Sequence, residues 1–125
     1  MASANPTTTR VVAVAAVVDV VCVVVFCTIG RRSHDEGLTI AGVAETVWPF
    51  LTGTVLGWLV IRGWRRPTAL VPTGLAVWVA TVVVGMALRK VTGQGTAVSF
   101  LVVASIATAI LLLGWRGVAA ALARR

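Results

Sequence analysis

The sequence predicts an all-α polytopic membrane protein, a bundle of four transmembrane helices. Three observations predict it: 58% of the 125 residues are hydrophobic, only 12% are charged, and the charges gather in short clusters between long apolar runs. The mean hydropathy of +0.98 lies well outside the composition of soluble domains. A soluble fold this small has too little interior to hide that much apolar surface. In a bilayer the runs become spans and the charged clusters become their connections.

The first ten residues are polar and end in Arg10, after which Val11 to Ile29 is interrupted only by Asp19. A secretory leader has an apolar core of about 7–15 residues and a small-residue cleavage site. This run is longer and leads into Gly30-Arg31-Arg32, so it reads as a retained helix. A polar stretch, Gly30 to Gly42, precedes the second run, Val43 to Ile61, which has Pro49 in its first turns and is closed by Arg62, Arg65, Arg66 and Pro67. The third run, Leu70 to Leu88, stops at Arg89-Lys90 and the turn-like Thr92-Gly93-Gln94-Gly95-Thr96. The fourth, Ala97 to Leu113, reaches Trp115-Arg116, and the Ala-rich segment Gly117 to Arg125 reads as a short interfacial stub on the cytoplasmic side. Residues 1–125 thus form a single four-helix domain.

Each run is about 17–19 residues, roughly 26–29 Å of helix, which matches a hydrocarbon core of about 30 Å. The many valines favour strands in water, but no run alternates with period two, and four segments cannot close a transmembrane barrel. Orientation follows from the basic residues. Arg10, Arg62, Arg65, Arg66, Arg116, Arg124 and Arg125 fall on one side, against Arg31, Arg32, Arg89 and Lys90 on the other. Seven against four places both termini in the cytoplasm of a multi-pass cell-membrane protein, with a margin small enough to leave dual topology open. Trp64 and Trp115 fall at the cytoplasmic boundary, where indoles favour the headgroup region.

The net charge of +7 is spread over several short connections and forms no continuous basic stripe, so nucleic acid is not an expected partner. The lipid bilayer is, together with a homo-oligomer or a larger membrane protein. Cys22 and Cys27 sit five apart in one helical run, where their side chains diverge, and read as small buried hydrophobes.

Asp19 is the most informative residue, ninth of nineteen in its run and so near the midplane. Its insertion penalty of about 2.5–3.5 kcal/mol is offset by ten valines, Phe26 and Ile29, which return about 4–7 kcal/mol, so the helix still inserts. Arg62 and Arg89 each lie about nine residues, roughly 14 Å, from the middle of their own runs. Neither reaches it without a kink or tilt. The reading is therefore a protonated carboxyl bonded to polar groups at similar depth (Thr52, Thr54, Trp78, Thr81, Ser105, Thr108), or one facing a water-filled cavity. It serves either as a proton or cation site or as an interhelical tie.

The stretch Gly30 to Glu36, with Arg89 close by, offers Arg31, Arg32, His34 and Arg89 as binding candidates at the outer mouth for an anionic headgroup or a metal. A lone His beside carboxylates has no metal-ligand spacing, so no metal site or cofactor is assigned. Gly53-x-x-x-Gly57 provides a small surface for close helix approach, within the bundle or between protomers. No nucleophile–base pair, phosphate-cradling loop or CxxC appears, and no enzyme activity is expected.

Asp19 in the first span, Gly30-Arg31-Arg32-Ser33-His34 at its exit, Trp48-Pro49-Phe50 in the second, Arg89 ending the third, and Ser99-Phe100 with Gly114-Trp115-Arg116 around the fourth resemble one family over nearly the whole chain. It is the family of small four-helix integral membrane proteins designated domain of unknown function 3054. The resemblance implies a membrane protein and assigns no reaction, cofactor or binding residue. A looser likeness, in architecture alone, is to the small multidrug resistance transporters, with four spans and an acid midway along the first. Here that acid is Asp19 rather than Glu, and the fourth run lacks an evident glycine dimerisation motif. Beyond an integral membrane protein, two functional classes follow: a small proton- or cation-coupled transporter acting as a homo-oligomer through Asp19, or an accessory or scaffold subunit of a larger membrane complex.

Overall fold

Lipid cannot hydrogen-bond a peptide group, so each apolar run must satisfy its own backbone, and each does so as a helix. A computed structural model describes residues 6–33 and 38–124. The helices are α1 (Pro6–Ser33), α2 (Ile40–Ile61), α3 (Leu75–Val91) and α4 (Val98–Ala123), with no strands among the described residues. All four are long and apolar enough to cross a membrane. The start of α1, the end of α4 and the α2–α3 connection share one end of the bundle, the terminal end; the end of α1, the start of α2 and the α3–α4 connection mark the other, the loop end.

Local chemistry explains most boundaries. Thr39 caps α2, its hydroxyl accepting from the Gly42 N–H at 3.0 Å. The helix ends at Arg62 in the left-handed region, φ 55°. Val71 is extended before Pro72, as proline imposes on its predecessor, and regular α3 begins only beyond the turn Leu70–Gly74. In two places the helices run further than hydropathy alone suggests. α1 continues through Gly30-Arg31-Arg32 to Ser33, and α4 passes Arg116 and reaches Ala123, so Gly117 to Ala123 belongs to the fourth helix rather than to a separate stub. Because α2 starts at Ile40, Pro49 is its tenth residue, buried in the middle of the helix instead of in its first turns.

The tightest pair is α2 and α3, and small residues set its closeness. A Cβ added to Gly53 would strike the Ala80 carbonyl oxygen and come within 2.9 Å of Thr81 Cα; one added to Gly57 would lie 3.0 Å from Ala80 Cβ and Val77 Cα. The Gly53-x-x-x-Gly57 surface therefore packs inside the unit, against α3. On the other side Gly85 of α3 seats the Phe50 ring. Between them the hydroxyls of Thr54 and Thr81 lie 2.7 Å apart, each also within reach of the carbonyl four residues back in its own helix, so both are satisfied whichever donates across.

Two apolar clusters fill the interior. Toward the loop end Phe26, Phe50 and Phe100 meet with Val23, Cys27, Val47 and Ala104, the Phe26–Phe50 pair edge to face at 5.5 Å. Toward the terminal end Cys22, Val77 and Leu112 pack beneath Trp58, Trp78 and Trp115. Large apolar side chains such as Val17, Val60 and Ile110 point outward, while Asp19, Thr54, Thr73, Thr81, Thr108 and Arg116 are buried. Polar groups inside and apolar groups outside is the distribution that hydrocarbon as solvent selects.

Candidate functional site

Asp19 lies near the middle of α1 (Pro6–Ser33), yet its partner Trp58 lies in the last turn of α2 (Ile40–Ile61), so the middle of α1 is level with the end of α2. Asp19 lies level with the terminal ends of α2 and α3. Trp58, four places from the α2 C-cap Arg62, reaches it, and so does Arg116, which also bonds the α2–α3 connection.

The carboxylate receives four N–H groups. Arg116 clasps it as a fork, Nη1 to Oδ1 at 2.9 Å and Nη2 to Oδ2 at 2.8 Å. Trp115 Nε1 donates to Oδ1 at 2.9 Å and Trp58 Nε1 to Oδ2 at 2.8 Å. Every one of these neighbours is a donor and none an acceptor, which is the environment of an ionised carboxylate rather than of a protonated carboxyl. Arg116 in turn donates from Nε to the Pro67 carbonyl at 3.1 Å and from Nη1 to the Leu112 carbonyl at 3.2 Å, and its guanidinium lies 4.5 Å from the Trp115 ring. Both charged side chains are 0% exposed. Among the described residues no buried side-chain nitrogen or oxygen is left without a partner. The cluster thus joins α1, α2, the α2–α3 connection and α4 through one neutral, fully bonded group.

The sequence-level expectation of a protonated Asp19 bonded to threonines, Trp78 or Ser105, or facing water, is corrected by this geometry. Trp78 donates to the Ser105 carbonyl at 3.0 Å, Thr54 pairs with Thr81, and Thr108 back-bonds to Ala104, all apart from the carboxylate. Trp115 turns its indole N–H inward to Asp19, whereas Trp64 is half exposed. Arg116 was missed because a hydropathy reading ends a span at its first arginine, and Trp58 and Trp115 because an indole suits a headgroup belt and a buried donor role equally well. The signal available was complementarity: one lone acid within one apolar run and one lone base within another, since Gly117 to Ala123 carries no charge.

Trp58→Phe removes one donor from the ionised group while keeping the ring. It is expected to cost about 1.5–3 kcal/mol, the range for a hydrogen bond to a charge. Thermal unfolding in detergent measures it, and an unchanged midpoint would show that this indole bond carries no weight.

At the loop end a cavity of about 630 Å³ opens between the helices. Arg31 and Arg89, two of the predicted outer-mouth residues, both line it; the side chain of Arg32, and His34 altogether, lie outside the described residues. Arg31 Nη1 donates to Thr46 Oγ1 at 2.9 Å. Arg89 donates from Nε to the Gly95 carbonyl at 2.9 Å and from Nη1 to Gln94 Oε1 at 3.0 Å, and lies 4.4 Å from the Phe100 ring.

Residues 16–119 match the model of the family described as "Protein of unknown function (DUF3054)". The chain belongs to this family. The match takes in every member of the Asp19 cluster and every residue named at the cavity, in agreement with the resemblance carried by Asp19, Trp48-Pro49-Phe50 and Gly114-Trp115-Arg116. No curated protein and no solved structure gives a significant match. The four helices make the chain a membrane protein, and the family's description names no specific activity.

Proposed function

We propose that the chain is a non-enzymatic accessory or scaffold subunit of a larger membrane assembly. The observation that carries this reading is the closed state of Asp19. A proton- or cation-coupled carrier needs its membrane acid to exchange ligands with water, and acids in such pathways face hydrated cavities. Asp19 is wholly buried, and the fork of Arg116 and two indoles occupies both of its oxygens. Breaking that group to admit a proton would leave an uncompensated guanidinium in the bundle, a cost of about 3–5 kcal/mol. A satisfied interior beneath a long apolar exterior suits a part that docks on other spans.

Purification from native membranes in mild detergent, with mass spectrometry of everything that co-elutes, tests the reading. A stoichiometric larger membrane protein is expected, together with no pH-gradient-driven flux in proteoliposomes of the chain alone. Flux that disappears in Asp19→Asn, from an isolated oligomer, would replace this reading with the transporter.

The orientation we favour has both chain ends in the cytoplasm of the cell membrane. Arg116 leaves the count of orienting charges because it is paired inside its span, so six basic residues at the terminal end stand against four at the loop end. A C-terminal reporter active only in the cytoplasm is expected to give signal.

A further inference from the structure

We infer that the α2–α3 connection at the terminal end is a docking surface for anionic lipid, with Arg62, Arg65 and Arg66 taking the phosphate headgroup and the helix surfaces beside them its acyl chains. The first observation is the state of these three side chains. All are exposed, and none has a hydrogen-bond or ion-pair partner among the described residues. Residues 62–69 contain no Asp or Glu. Of the chain's acids, Asp19 is paired with Arg116, Glu45 stands in the second turn of α2 at the loop end, and Asp35 and Glu36 fall in sequence between α1 and α2. Like charges gathered without an acid repel one another until an anion joins them.

The second observation is that the backbone beneath these side chains is fixed. The Arg65 N–H donates to the Arg62 carbonyl at 3.0 Å and the Arg66 N–H to the Gly63 carbonyl at 3.2 Å, closing two successive turns. A bond of this spacing keeps the α-carbons within about 7 Å, so Arg62 and Arg65 stand side by side. Gly63 is buried against the Trp58 ring, where an added Cβ would lie 2.6 Å from the indole. Thr73 donates to the Arg66 carbonyl at 2.6 Å and Arg116 to that of Pro67 at 3.1 Å. Three guanidinium groups are thus presented together on a loop that is already ordered, and a phosphate that accepts from several of them immobilises little backbone.

Arg62 adds an independent sign. Its φ of 55° lies in the left-handed region that favours glycine, the residue most helices place at such an end. Arginine is strained there, and its side chain forms no bond within the described structure that offsets the strain, which points to a role outside the chain.

The surroundings select a lipid over a soluble anion. Val60, 82% exposed, precedes the arginines on α2; Val71, 68% exposed, follows them; and the half-exposed indole of Trp64 lies between. In a bilayer the valines face acyl chains, and an indole beside them belongs at headgroup level. A basic cluster at that level attracts anionic headgroups.

The test follows the thermal midpoint of the full chain in detergent with added dioctanoyl phosphatidylglycerol, dioctanoyl phosphatidylcholine, inorganic phosphate or polyglutamate, the last standing for an acidic protein surface, with native mass spectrometry of retained lipid. Phosphatidylglycerol is expected to raise the midpoint by several degrees and to stay bound, the choline lipid to do so only at ten-fold or more higher concentration, and the two soluble anions to leave it unchanged. Arg62→Gln/Arg65→Gln/Arg66→Gln should keep the wild-type midpoint without lipid, because these side chains bond nothing in the described structure, and should lose the preference for phosphatidylglycerol. Arg10→Gln/Lys90→Gln/Arg124→Gln removes the same charge from three other exposed positions and should keep that preference. Arg62→Gly relieves the left-handed backbone, so its midpoint without lipid should equal or exceed wild type while its phosphatidylglycerol shift falls at least two-fold. Equal shifts with the two lipids, a soluble anion matching phosphatidylglycerol, an undiminished shift in the loop triple variant or in Arg62→Gly, or an equal loss in the two triple variants would each overturn the inference.

Discussion

Asp19→Asn is expected to destabilise the bundle by about 3–5 kcal/mol, a shift of roughly two to four orders of magnitude in the folding equilibrium. The asparagine fits the space, so the cost is electrostatic. Arg116 is left buried and charged, and an amide nitrogen now faces donors where a carboxylate oxygen stood. Arg116→Met should cost a similar amount, because the carboxylate then keeps only the Trp58 and Trp115 N–H groups. The double variant Asp19→Leu/Arg116→Met should be more stable than the worse single, since a buried ion pair exchanged whole for apolar groups is often close to neutral. Recovery should stop short of wild type because both indole N–H groups lose their acceptor. Reversible unfolding in mixed micelles measures these proteins together with Asp19→Leu alone, and additive effects of Asp19→Leu and Arg116→Met in the double variant would show that the two charges are not energetically coupled.

Gly53→Ala is expected to be the most damaging small substitution in α2, at about 1–3 kcal/mol. The added Cβ meets backbone, the Ala80 carbonyl and Thr81 Cα, which cannot rotate away, so α2 and α3 must separate and the Thr54–Thr81 contact must lengthen. Gly57→Ala should cost less, since its closest neighbours stand at 3.0 Å. Gly114→Ala supplies the control: nothing lies within 4 Å of the added atom, and inside a helix alanine is better than glycine by up to about 1 kcal/mol. The same unfolding assay should rank Gly114→Ala above wild type, then Gly57→Ala, then Gly53→Ala. A Gly53→Ala protein as stable as wild type would refute the close packing of this pair.

Much of the candidate site was legible residue by residue, and little of it as an arrangement. Asp19 stood out because a charge in an apolar run is costly wherever the run lies. Arg31 and Arg89 were legible as mouth residues because they end their spans, and the structure brings both to one cavity. Trp58 and Trp115 carried no such mark. Indoles suit a headgroup belt and a buried donor role equally well, and only the direction of the side chain separates the two. Gly53 and Gly57 announced close packing but not the partner, since any small surface on another helix would serve.

What the sequence by itself determined is the number of spans, their membrane character and the family. Partition into hydrocarbon depends on about twenty neighbouring residues and on nothing distant. What the tertiary structure alone decided is that Asp19 and Arg116, 97 positions apart, form one neutral group. Their meeting depends on the relative depth and rotation of two helices, which packing sets. Arg116 is hydrophilic as a local residue and becomes part of the interior only when a carboxylate at the same level takes its charge.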